Sequence, residues 1–135
     1  MSAFNAAVSY NMKCAMKQGD PGVGLDYPNV LVSLGSLSSA SNVHAEVGES
    51  ELRVHWETNV EGNARSDDMA MLVAHNPARG VSMYDLNAGK RVNKKAGLQL
   101  PPAWKGDVIE TYLAFKTADG TVVSDSLYTG RYLVR

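Results

Sequence analysis

Cysteine is almost missing from this chain. Its single occurrence, Cys14, excludes an intramolecular disulfide and any zinc site built on several thiolates. An excess of charge of one sign is missing too, with 13 Lys and Arg against 14 Asp and Glu. A dedicated nucleic-acid or membrane-surface binder would carry a basic excess, so the balance sets those classes aside. No apolar run approaches the roughly 18 residues needed to span a bilayer. The opening "MSAFNAAVSYNMK" lacks a basic stretch followed by a continuous apolar one, so no signal peptide is expected. The compartment is left open between the cytoplasm and an assembled particle, as is whether Met1 is the natural start.

Motifs of the common catalytic scaffolds are also missing. There is no Gly-x-Ser-x-Gly elbow to expose a nucleophilic serine. "GVGLDY" at 22–27 lacks the strand before and the helix after that a dinucleotide fingerprint needs. Asp67-Asp68 has no Asp-x-Asp-x-Asp-Gly loop around it, so turn capping is the expected role rather than calcium binding. With three histidines in all, a Ser-His-Asp triad would have to bring His75 or a more N-terminal histidine to Ser124 and Asp125. The expectation is a protein without a cofactor and, on balance, without catalysis.

What is present describes a single domain over 1–135, with 44% apolar residues and enough chain for a real core. Residues 2–18 are expected to be a helix. Ser2 can cap it, and Phe4, Val8, Met12, Ala15 and Met16 form one apolar stripe. Gly19 and "DPG" at 20–22 end it. From Tyr27 the period changes from 3.6 to 2. "NVLVSLGSL" at 29–37 is β-rich. "NVHAEV" and "LRVHWE" alternate around a turn at "GESE". "MAMLVAH" at 69–75 is apolar on both faces, as a central or covered strand would be. "VSMYDL" and "RVNKKAGLQL" flank an expected turn at "NAGK". "DVIETYLAFKT" and "TVVSDSLYTG" are joined by Asp119-Gly120, a strong hairpin signal. Seven or eight short strands at this spacing predict a mainly β fold: an antiparallel immunoglobulin or fibronectin III-like sandwich over 27–135, preceded by the one N-terminal α-helix.

Few side chains suggest chemistry. Pairing Val47 with Leu52 sets His44 opposite His55 and Glu46 opposite Arg53 on the polar face of the first hairpin. Two opposed imidazoles, with Glu57 as a third ligand, fit a divalent metal and a metal-dependent hydrolase. The alternative is a solvated hairpin face with one weak ion pair. His75 ends a buried-looking strand and is expected to bond a loop carbonyl. Trp104, in the loop "PPAWKGD", either stacks on a sugar with help from tyrosines such as Tyr128 or closes the end of the sandwich. "KRVNKK" at 90–95, with Lys90 and Arg91, either meets phosphate or an acidic partner or forms a solvated turn and strand edge.

The ordered series Asp26-Tyr27, Ser33-x-Gly35, Asp67-Asp68, Leu100-Pro101, Tyr112 and Ser124-x-Ser126-x-Tyr128-x-Gly130 resembles a domain-of-unknown-function family common in Bacteroidetes. The likeness covers nearly the whole chain. Members of that family begin with a glycine-rich segment containing Gly-Lys-Val-Gly, which this chain lacks. The resemblance implies no activity and carries over no catalytic residue. The function expected is therefore a structural or interaction module that meets a protein partner, or itself, through the N-terminal helix. A place in a virion, filament or envelope assembly follows only from the family's distribution. A carbohydrate-binding module and a metal-binding protein are the alternatives.

Overall fold

The computed structural model of the protein describes residues 33–57 and 62–135. The helix expected over 2–18 and the first residues of the stretch 29–37 lie outside the described residues. Seven strands follow in order: β1 Ser41–Gly48, β2 Glu51–Glu57, β3 Met69–Asn76, β4 Val81–Lys90, β5 Lys95–Gln99, β6 Val108–Lys116 and β7 Leu127–Leu133. They form two antiparallel sheets, β1-β2-β5 and β4-β3-β6-β7. The chain crosses between the sheets three times, after β2, β4 and β5.

The sheets close on one apolar core. Leu52, Val54 and Trp56 of β2, with Ala96 and Leu98 of β5, face Ala70, Leu72 and Ala74 of β3 and Ile109, Leu113 and Phe115 of β6. Period-2 alternation in β2 produces its half of this contact directly, since Arg53, His55 and Glu57 are exposed between the buried residues. Trp56 meets Phe115 edge-on, with ring centroids 5.3 Å apart, and its indole N–H donates to the Arg91 carbonyl at 3.0 Å.

The connection between β4 and β5 departs from expectation. "NAGK" does not turn the chain. β4 runs through it to Lys90, and the turn comes at Arg91–Asn93 with Lys94 in the left-handed conformation. The two flanking strands do not pair with each other; they lie in different sheets. Asn87 belongs instead to a bulge in β4, where the pairing to β3 shifts between Ala70 and Leu72, and its N–H donates to the Asp85 carboxylate at 2.8 Å. Gly89 serves close approach: a Cβ there would lie 2.7 Å from the Lys95 carbonyl oxygen.

Asp119-Gly120 turns the chain as expected. Gly120 donates to the Thr117 carbonyl, and the Asp119 carboxylate accepts from the Thr117 hydroxyl and from both the N–H and the hydroxyl of Thr121. These bonds hold its pKa down at about 2. The returning strand is shorter than expected, because "TVVSDS" leaves β6 after a bridge between Val123 and Lys116. There it is stitched to the entering chain: the Ser33 hydroxyl donates to the Ser124 carbonyl, and the Ser126 N–H to the Ser33 carbonyl. No helix among the described residues is long and apolar enough to cross a membrane.

Candidate functional site

Three polar constellations stand out among the described residues. The first is the hairpin face. His44 is opposite His55 and Glu46 opposite Arg53, as the alternation predicts. The register slips by one residue between Ser41 and His44, so Glu57 pairs with Ser41. Asn42, in the left-handed conformation, uses its amide to hold the Glu57 carboxylate at 2.9 Å. Glu46 lies 3.9 Å from His55 Nε2, and Arg53 makes its shorter contact with Glu51. Glu57 is thus drawn to Asn42 and does not complete a metal site. Among the described residues no group of three or more His, Cys, Asp or Glu is placed to hold a metal ion.

The second constellation is inside the sandwich. Arg91 and Asp68 are each about 1% exposed, and Arg91 Nε lies 3.0 Å from Asp68 Oδ2. The guanidinium also donates to the Ser38 carbonyl at 2.6 Å and sits 4.0 Å over the Phe115 ring. Burial lowers its pKa, and Asp68 offsets part of that. Asp68 caps its own turn as well, accepting from the Arg65 N–H at 2.9 Å. A buried guanidinium held by a carboxylate, a backbone carbonyl and an aromatic ring is a structural cross-tie. It joins the loop before β3, the turn after β4 and the chain leading into β1. The reading of Lys90 and Arg91 as a phosphate-binding pair is therefore corrected: Lys90 points to solvent, while Arg91 is committed to the interior.

The third lies on the outer face of the four-stranded sheet. Tyr112 of β6 pairs with Tyr128 of β7, but Thr111 pairs with Gly130, so Thr129 is an extra residue in β7. In a regular strand Tyr128 and Arg131, three apart, would point to opposite faces. The bulge brings both to Glu110. The Tyr128 hydroxyl donates to Glu110 Oε2 at 2.9 Å, and Arg131 Nε to Oε1 at 2.6 Å. Gly130 makes this possible with a φ of 127°; a Cβ there would strike the Tyr132 hydroxyl. Burial, reinforced by the bond to Glu110, pushes the Tyr128 hydroxyl up to about 12. Across the sheet His75 is opposite Glu110 on one side and Ser82 on the other, and its Nδ1 lies 2.8 Å from the Ser82 hydroxyl. Burial lowers the His75 pKa. The Ser82 hydroxyl beside the ring is on the second residue of β4.

Ser82, Glu110 and Arg131 escaped the sequence reading. A signal existed for Glu110: a carboxylate amid "VIETYLAF" is a buried charge that needs a partner. The triad considered for His75 does not form. Ser124 is committed to the Phe115 N–H, five residues along β6 from Glu110. The sugar-stacking reading is corrected as well. Trp104 is 4% exposed and belongs to the core, so it presents no free ring face. Trp104, Tyr128, Lys90 and Arg91 do not converge. Trp104 closes the sandwich near Val134, Tyr128 lies on the outer face, and Arg91 packs on Phe115.

The chain belongs to a family of unknown function (DUF6266), which matches residues 1–130. No curated protein matches it.

Proposed function

We propose that the protein is a non-catalytic interaction module. In this reading it is an immunoglobulin-like sandwich of the fibronectin III kind that serves as a structural part of a larger assembly such as a virion, filament or envelope. Three strands facing four, three crossings between sheets and a core tryptophan on β2 support the sandwich assignment. Fold alone assigns no function, so the rest stands on how the polar groups are used. One observation carries it. Each buried polar residue among those described has a partner within the fold: Asp68 with Arg91, Asn76 with Asp107, His75 with Ser82, Glu110 with Tyr128 and Arg131, Thr111 with Thr129, and Ser33, Ser124 and Ser126 with one another or with Phe115. Polar groups engaged in this way hold a shape rather than await a substrate. The exposed apolar residues Leu34, Val81 and Val92 supply surface for a protein neighbour.

Size-exclusion chromatography with light scattering over rising concentration tests the assembly reading. The expected result is a species heavier than the 14.5 kDa chain. A strict monomer at the highest concentration overturns it.

A further inference from the structure

An edge strand carries backbone N–H and C=O groups ready to pair with another strand, and folded chains blunt such edges. Among the described residues the two sheets end on β1, β5, β4 and β7. Three of these are blunted. β5 has only five residues and opens on exposed Lys95. β4 is bulged where its pairing to β3 shifts, and it ends on exposed Lys90. β7 carries the extra residue Thr129 and sets Gly130 at a φ of 127°. β1 is the exception. Its eight residues include no lysine, arginine or proline, and its one irregularity lies at its start, before His44.

We propose that β1 is the docking edge for a second copy of this chain, the two β1 strands pairing antiparallel about a two-fold axis at Ala45. The side-chain pattern of β1 selects that register. His44 and Glu46 are exposed, while Val43, Ala45 and Val47 pack toward the core and are only partly buried. Opposed residues in an antiparallel pair share a face, with Cβ atoms about 4.5–5.5 Å apart. An axis at Ala45 sets His44 opposite Glu46 of the second copy and Glu46 opposite its His44, as a two-fold contact requires. It also sets Val43 opposite Val47 of the second copy, so the added strand finishes covering the half-buried apolar row. An axis at Glu46 would oppose two carboxylates, and one at His44 two imidazoles. An imidazole donates to a carboxylate whether neutral or protonated. Glu46 is free to accept, since its contacts with Arg53 and His55 in its own chain are exposed and 3.9 Å long. The product is a continuous sheet with three strands from each copy, the strand-addition mode of recognition. The inference rests on the assembly reading and names its interface.

Sedimentation equilibrium of the full chain tests it, with the pair reversed one side at a time. Glu46→Lys sets an ammonium against His44 twice in each dimer, and His44→Glu sets two carboxylates together twice. Each variant alone should weaken self-association by about tenfold. Mixed in equal amounts, the two should associate again. The introduced carboxylate of one then faces the introduced ammonium of the other, and the native His44 and Glu46 face each other at the second pair. Recovery in the mixture also shows that both variants fold. Weakened association that does not recover on mixing overturns the proposal. Self-association of the wild type that neither variant weakens overturns it too, while leaving the assembly reading in place. A wild type that stays monomeric overturns both.

Discussion

The two outer faces of the sandwich make opposite use of the same strand geometry. On the three-stranded sheet, His44, Glu46, Arg53, His55, Lys95 and Gln99 stand in solvent. On the four-stranded sheet, Met71, Val73, His75, Glu110 and Tyr112 are buried. Antiparallel sheets commonly pack one face and wet the other. The first sheet obeys that rule, and the second is packed on both faces. The difference teaches where mutations matter. A side chain pointing away from the core is a free surface group on one sheet and a second core on the other.

The largest effect expected from this contrast is volumetric. Tyr112→Ala should cost about 3–5 kcal/mol of stability, since the ring is fully buried and packs edge-on against Tyr128. His55→Ala, at an equally outward position on β2, should stay within about 0.5 kcal/mol. Urea unfolding of both variants reads the comparison. Similar costs would erase the distinction between the faces.

The same contrast explains what the sequence made legible. β1 and β2 alternate cleanly because one face is wet, so their register, His44 opposite His55 included, could be read from period 2 alone. β3 announced its double burial by losing that alternation. The bulges in β4 and β7 could not be read. Each is fixed by contacts distant in sequence: Gly89 against Lys95, and Gly130 beneath the Tyr132 hydroxyl. For that reason "NAGK" looked like a turn, and the convergence of Tyr128 and Arg131 on Glu110 was invisible. Trp104 was ambiguous because a loop tryptophan's burial depends on what closes over it. Here it is the end of the sandwich, where Gly106 donates to the Val134 carbonyl.

A smaller effect is electrostatic. Glu110→Gln keeps the shape but weakens two hydrogen bonds to a buried carboxylate, and should cost about 1.5–3 kcal/mol. Glu46→Gln, on the wet face, loses at most about 1 kcal/mol, because its contacts with Arg53 and His55 are exposed and 3.9 Å long. The Glu110 variant should also lower the Tyr128 pKa from about 12, seen as tyrosinate absorbance at lower pH.

Acidification sharpens the comparison further. The folded His75 pKa lies below its ordinary value because burial disfavours the cation. As pH falls through about 6.5 the unfolded chain takes up a proton that the folded one refuses, so stability drops on the acid side of neutrality. Ser82 and Glu110 face the ring from β4 and β6. His75→Gln should flatten the fall in urea midpoint between about pH 7.5 and 5.5. Asp119, held at about 2, contributes only in a lower window: its stabilisation is present above its ordinary pKa and is lost as pH falls toward 2. A slope that survives His75→Gln in the upper window would have to come from elsewhere.

The smallest effect belongs to the wet face. Two opposed imidazoles without a third ligand can hold zinc only weakly, and Glu57 is occupied by Asn42. Stabilisation by a ligand grows as RT ln(1 + [L]/Kd), so zinc at its own Kd adds about 0.4 kcal/mol and a hundredfold excess about 2.7. Millimolar zinc should therefore shift the unfolding midpoint slightly, and His55→Ala should remove the shift. A large shift at micromolar zinc, lost in His55→Ala, would show that the hairpin recruits a third ligand. The wet face would then be a site and no longer the plain surface against which the buried face is measured.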